Sequence, residues 1–209
     1  MNHTLLIAVL ILGGLILGWA LHRRSVRHMK PLLRRLAAEN NGIIETPSLF
    51  LMPKLRFSRA GTEVEVSSAS TGISGESNRY TYALFTKLDS KSFEFRILPQ
   101  SLQSIGDKWI GLKKPMYTRV TDLDKLLVIY TNNEQLMDTV LSNRIQTDLI
   151  SWAKQKPVNR ISDIRNYNGN LIFAVTGDLK SYEEYKLLLD TACRFYDSVT
   201  GAVSIHIKS

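Results

Sequence analysis

The chain opens on a run of eighteen residues without a charge, TLLIAVLILGGLILGWAL at 4–21, and the next fourteen hold six cations and no acid. A helix rises about 1.5 Å per residue, so the run spans roughly 27 Å against a hydrocarbon core about 30 Å thick. The pattern predicts a transmembrane anchor over 1–22. Beyond it, Pro31 suits the first turn of a short helix over 32–40, with Leu32, Leu33, Leu36 and Ala37 as one apolar strip and Gly42 placed to end it. Residues 23–42 therefore read as a basic juxtamembrane helix.

From 43 to 99 the helical period gives way to alternation. LRFSR at 55–59 and TEVEV at 62–66 flank Ala60-Gly61, a hairpin signal. Leu55, Phe57, Val64 and Val66 are expected on one face, and Arg56, Arg59, Glu63 and Glu65 on the other. A loop over 70–78 leads to a strand at 79–86, joined through Asp89-Ser90-Lys91 to an antiparallel strand at 93–98. The apolar run 126–130 reads as a buried strand. Asn133 is placed to cap a helix through 141 and Asn143 another through 156, with Ile145, Leu149, Ile150 and Trp152 inward. Strands at 160–166 and 171–176 flank Asn168-Gly169-Asn170, whose Asn-Gly is a favoured hairpin turn. Ser181 caps the longest soluble helix, with Glu183 and Glu184 in its first turn. Tyr185, Leu188, Leu189, Ala192, Phe195, Tyr196 and Val199 form its inner stripe and Gly201 ends it. A last strand at 202–207 sets Val203, Ile205 and Ile207 against His206. The fold class is α+β: an N-terminal transmembrane helix, then a soluble domain over 43–209 of antiparallel β-hairpins with packed helices, with a possible sub-boundary near 115–120.

A cleaved signal peptide is the competing reading of the apolar run, but Met1, Asn2 and His3 supply no strong cation before it, and Trp19-Ala20-Leu21-His22 is a poor cleavage site. Arg23, Arg24, Arg27, Lys30, Arg34 and Arg35 all follow the run closely, the placement that keeps a flank in the cytoplasm. The expected topology is single-pass, N-terminus outside and C-terminal domain cytoplasmic, in a bacterial inner membrane. Gly14 and Gly18 form a GxxxG step, a candidate packing face for self-association or for a membrane-protein partner.

Charge adds one correction to the usual reading of a basic chain. Of the net +8, six charges sit in 1–35, leaving +2 for the rest. The basicity is a collar, which suits anionic lipid headgroups and the lipid bilayer, and not the interleaved basic and aromatic face of a nucleic-acid binder. The single Cys193 excludes an intramolecular disulfide and a paired-cysteine metal knuckle.

Chemistry is sparse. There is no Walker loop, GxGxxG, HExxH or spaced Cys/His set. Gly72-Ile73-Ser74-Gly75-Glu76 lacks the spacing and the strand–turn–helix setting of a nucleophile elbow. His3, His22 and His28 lie in or beside the anchor. Asp122 and Asp124 read as a turn before a strand, and Cys193 as a buried structural thiol. No catalytic residue, cofactor or metal site is expected.

The run at 118–152, TRVTDLDKLLVIYTNNEQLMDTVLSNRIQTDLISW, followed by NGNLIFAVTGDLKSYEEYKLLLDTACRFYDSV, resembles a loose class of uncharacterised bacterial single-pass, membrane-anchored α+β proteins carrying a domain of unknown function. Where that class sets an aromatic residue before the acid that precedes the strand, Leu123 stands before Asp124. The resemblance implies an α+β fold and carries over no functional residue. The function expected is that of a non-enzymatic, membrane-anchored accessory or scaffold subunit of a larger membrane protein complex. The alternative is a membrane-tethered binding or sensing domain for a lipid headgroup or soluble ligand.

Overall fold

A computed structural model describes residues 3–46, 51–71, 78–88, 92–102, 115–155, 161–177 and 179–208. Its first element is α1 (His3–Asn40), one helix that runs through Pro31. The separate short helix expected after that proline is not there. Proline removes a backbone donor and normally breaks a helix. Here Pro31 and Arg27, whose carbonyl loses its donor, are exposed, and Met29, Leu33, Leu36 and Ala37 are buried on another side of the same helix. Packing on both sides of the proline holds the two segments in line. The helix ends in a Schellman arrangement: Asn41 adopts φ +51° and the Gly42 amide donates to the Ala37 carbonyl at 2.8 Å. Gly42 serves a different need, since a Cβ there would lie 2.7 Å from Leu55 Cδ1 and 2.8 Å from the Arg56 carbonyl oxygen.

The strands are β1 (Ile43–Glu45), β2 (Lys54–Arg59), β3 (Thr62–Thr71), β4 (Asn78–Thr86), β5 (Phe95–Pro99), β6 (Pro115–Met116), β7 (Leu127–Thr131), β8 (Ile161–Tyr167) and β9 (Asn170–Thr176). The further helices are α2 (Thr121–Leu126), α3 (Glu134–Val140), α4 (Asn143–Lys154) and α5 (Tyr182–Lys208). Among the described residues the nine strands form one sheet in the order β1-β2-β3-β4-β9-β8-β5-β7-β6, with antiparallel pairing throughout. The fold class is thus α+β.

Both hairpin turns predicted from dipeptides are present. Ala60 and Gly61 take φ +48° and +81°, Asn168 and Gly169 +51° and +72°, the double positive φ that matches the right-handed twist of the flanking strands. The β2–β3 faces follow the alternation with one exception. Arg59 has the parity of Leu55 and Phe57, lies on their side, and meets Asp197 of α5 at 2.8 Å. The expected hairpin between 79–86 and 93–98 is absent: β4 pairs with β9, and β5 lies between β8 and β7. Asp89-Ser90-Lys91 falls outside the described residues.

The helices cover one face of the sheet. Leu33, Leu36, Phe85, Phe173, Leu188 and Phe195 belong to one continuous buried cluster joining α1, the strands and α5. Asn133 Oδ1 accepts from the Leu136 amide at 3.0 Å and caps α3 as expected. The N-cap of α4 is Ser142, one residue before the asparagine chosen from the sequence, and the helix ends at Lys154. Ser181 Oγ accepts from the Glu184 amide at 3.1 Å at the start of α5.

The last strand is also corrected. Gly201 does not end α5, which continues to Lys208, and His206 is an exposed helical residue. A glycine costs an exposed helix interior about 1 kcal/mol relative to alanine, whereas a new strand needs a partner edge. Ala202 is buried, Val203 packs on the core, and Ser204 Oγ donates to the Thr200 carbonyl at 2.8 Å, so extension of an existing helix prevails.

Candidate functional site

Two surfaces stand out: the collar of α1, and the sheet face that the helices leave open. In the N-terminal part of α1, Ile7, Leu10, Ile11 and Leu17 expose 57–68% of their surface. Among the described residues α1 is the one helix long and apolar enough to cross a membrane. Gly14 and Gly18 are exposed on it with nothing within 4 Å of where a Cβ would stand.

The six collar cations do not share one environment. Arg23 lies 5.0 Å over the Trp19 ring. Together with Arg27, Lys30 and Arg34 it lines a groove of about 830 Å³ along α1, whose other wall includes Thr46 and Leu51. Arg35 turns away and stacks 3.8 Å over the Tyr182 ring of α5. Arg24 is exposed. Beside Arg35, Glu39 accepts from the Tyr182 hydroxyl and from Lys186 Nζ at 3.2 Å, and these bonds, the tyrosine's first, hold its carboxyl below the ordinary value. His28 Nε2 lies 3.1 Å from the Lys180 carbonyl oxygen. These contacts fasten the middle of α1 to the start of α5.

The open sheet face carries a second groove, of about 510 Å³. Tyr80, Tyr82, Leu84, Leu98 and Ile172 contribute its apolar lining. At one side Arg96 donates to Asp163 through two nitrogens, at 2.8 and 3.1 Å, and Arg165 reaches the same carboxylate at 3.4 Å. Two guanidiniums on one carboxylate leave an excess positive charge beside an apolar floor. On β3 the buried Glu65 accepts from Lys54 at 2.9 Å, from Arg56 at 3.1 Å and from the Tyr82 hydroxyl at 2.8 Å. Burial pushes the Glu65 carboxyl up, but the bonds from Lys54, Tyr82 and Arg56 outweigh it and the net displacement is downward. Tyr82 is displaced upward, by burial and then by Glu65.

No sequence motif announced this second groove. Period two sets Tyr80 and Tyr82 on one face, but Arg96 and Asp163 meet only because β5 and β8 are neighbours. Phe93 and Phe95 do not join those tyrosines on the open face and are buried in the core. Asp122 and Asp124 lie within α2, not in a turn: Asp122 pairs with Lys154 at 3.1 Å and Asp124 accepts from Thr118 Oγ1 at 2.8 Å. The Gly72–Glu76 segment is outside the described residues. Burial pushes the Cys193 thiol up to about 11, which makes it a poor nucleophile.

The chain superposes on the crystal structure of the mycobacterial trehalose monomycolate transport factor A, TtfA, with a TM-score of 0.52. The two share a fold. The match covers 85% of this chain and 95% of TtfA at 12% sequence identity, so the likeness is one of architecture and not of residues. The chain matches no family model and no curated protein.

Proposed function

We propose that this chain is a non-enzymatic accessory subunit of a larger membrane protein complex, anchored by the first half of α1 with its α+β domain on the cytoplasmic side of a bacterial inner membrane. The continuity of α1 carries the reading. The helix whose early residues expose leucine and isoleucine to the surroundings is the same helix that buries Met29, Leu33, Leu36 and Ala37 in the core. A tether meant only to keep a domain near a membrane needs no such coupling, whereas a subunit that presents its domain at a set height and orientation does. The fold shared with a protein described as a transport factor supports the same reading. The exposed Gly14/Gly18 step is the candidate contact of the anchor with a partner helix.

The test is purification of the full chain from its native membrane in mild detergent. A membrane protein is expected to co-elute in fixed stoichiometry and to be lost from a Gly14→Ile/Gly18→Ile variant. A homogeneous monomer refutes the proposal.

A second reading, a membrane-tethered binding domain for a soluble ligand, draws on the open sheet face. Its apolar floor beside Arg96 and Arg165 suits a small anionic molecule with an apolar body. A ligand screen by thermal shift, repeated with Arg165→Ala, separates the two readings: stabilisation that disappears in the variant favours binding, and none at all removes it.

A further inference from the structure

Arg23, Arg27, Lys30 and Arg34 follow the spacing i, i+4, i+7, i+11. At 3.6 residues per turn this keeps them within roughly 60° of one another along one side of α1. Like charges so placed on a helix repel one another. Among the described residues no carboxylate pairs with any of the four. The groove that they line also contains His22, whose Nε2 is buried and has no hydrogen-bond partner. Trp19 and the exposed Leu51 supply apolar surface to the same groove, and Trp19 itself belongs to the C-terminal end of the apolar run of α1.

We infer that this groove is a binding site for the headgroup of an anionic phospholipid. The matching ligand has phosphate at one end and acyl chains at the other, which is what sets a lipid apart from a free phosphate ion. Arg23 and Arg27 stand nearest the apolar run and take the phosphodiester, while the orphaned His22 nitrogen lies within the same wall. The cation ladder then continues for about 16 Å along the axis from Arg23 to Arg34, farther than one phosphodiester reaches. Lys30 and Arg34 serve a second anionic group on the same headgroup, so a lipid with two phosphates binds more tightly than a lipid with one. A collar that only sets topology needs neither the alignment nor a second wall. The inference rests on the anchor reading given above.

The experiment uses the full chain, reconstituted in phosphatidylcholine bilayers and then released for native mass spectrometry after exposure to cardiolipin, phosphatidylglycerol or inorganic phosphate. The expected result is retention of cardiolipin at least tenfold above phosphatidylcholine, with phosphatidylglycerol between them. The R23Q/R27Q/K30Q/R34Q variant is expected to lose that preference. A charge-matched control, R24Q/K87Q/K125Q/R144Q, changes four exposed cations outside the groove and is expected to keep it. Equal loss in the control reduces the effect to bulk charge and overturns the inference. Displacement of lipid by inorganic phosphate at matched concentration also overturns it, in favour of a free-anion site. Insertion into the neutral bilayer without any headgroup preference refutes the inference alone. Failure to insert refutes the anchor reading and the inference with it.

Discussion

Replacing Leu33 by alanine decides whether α1 belongs to the folded domain or merely tethers it. Leu33 is fully buried, in one cluster with Leu36, Leu55 and Leu188, where α1 crosses β2 and α5. The substitution removes three buried carbons at about 0.8 kcal/mol each, roughly 2.4 kcal/mol of transfer free energy. A cavity walled by the backbone of β2 and by α5 closes only in part, which brings the expected loss to about 3–4 kcal/mol. With a urea dependence of about 2 kcal/mol/M, the unfolding midpoint falls by roughly 1.5–2 M. The assay is urea titration of the full chain in mild detergent, followed by near-ultraviolet circular dichroism. That signal reports packed aromatics such as the Phe85–Tyr196 stack, whose ring centroids lie 4.8 Å apart. Leu10→Ala, at a position 68% exposed, is the control and should leave the midpoint unchanged. A Leu33→Ala loss below about 0.5 kcal/mol would mean that the domain folds without α1, and the rigid-coupling argument fails.

Gly42→Ala should destabilise by about 1–3 kcal/mol, because its Cβ would press on the Arg56 carbonyl oxygen at 2.8 Å and Leu55 at 2.7 Å; wild-type stability in the same titration contradicts the close-approach argument. Glu65→Gln should cost about 1–2 kcal/mol at pH 7. Since the folded-state carboxyl of Glu65 lies below its ordinary 4.5, this contribution is complete above pH 4.5 and is lost as pH falls through the lowered value. The gap between wild type and variant must therefore narrow on acidification, and a gap that does not change with pH refutes the ion-pair account. Cys193, buried and pushed up to about 11, should react with an aromatic disulfide reagent at least tenfold more slowly at pH 8 than in denaturant; equal rates would show that the helix surface around it is open.

Much of the local structure was legible because its causes are local. An uncharged run is long enough to span a bilayer or it is not, and Ala60-Gly61 and Asn168-Gly169 accept the positive φ of a tight hairpin by their own chemistry. The caps at Asn133 and Ser181 and the inner stripe of α5 needed only the helical repeat. The collar was legible as charge, but not as a groove: helical spacing aligns Arg23 with Arg27, Lys30 and Arg34, and only the chain beyond β1 brings Thr46 and Leu51 against them.

The remaining features depend on residues far apart in the chain. Pro31 reads locally as a helix start and Gly201 as a helix end. Both penalties are of a few kcal/mol or less, and they are offset by burial of Leu33 and Leu36 in one case and by packing of Ala202 and Val203 on the core in the other. Strand partners are equally non-local: alternation marks β4 and β5 as strands but does not tell that β9 and β8 lie between them. The Arg96–Asp163 pair and the open groove beside it follow from that order alone. An apolar run long enough to cross a bilayer, a basic collar and an α+β domain are all written in the chain, because hydrophobicity, charge and turn chemistry belong to short segments. That the apolar run and the domain share one helix, and which cations face a common wall, emerges only in the folded chain, because both are set by packing between segments distant in sequence.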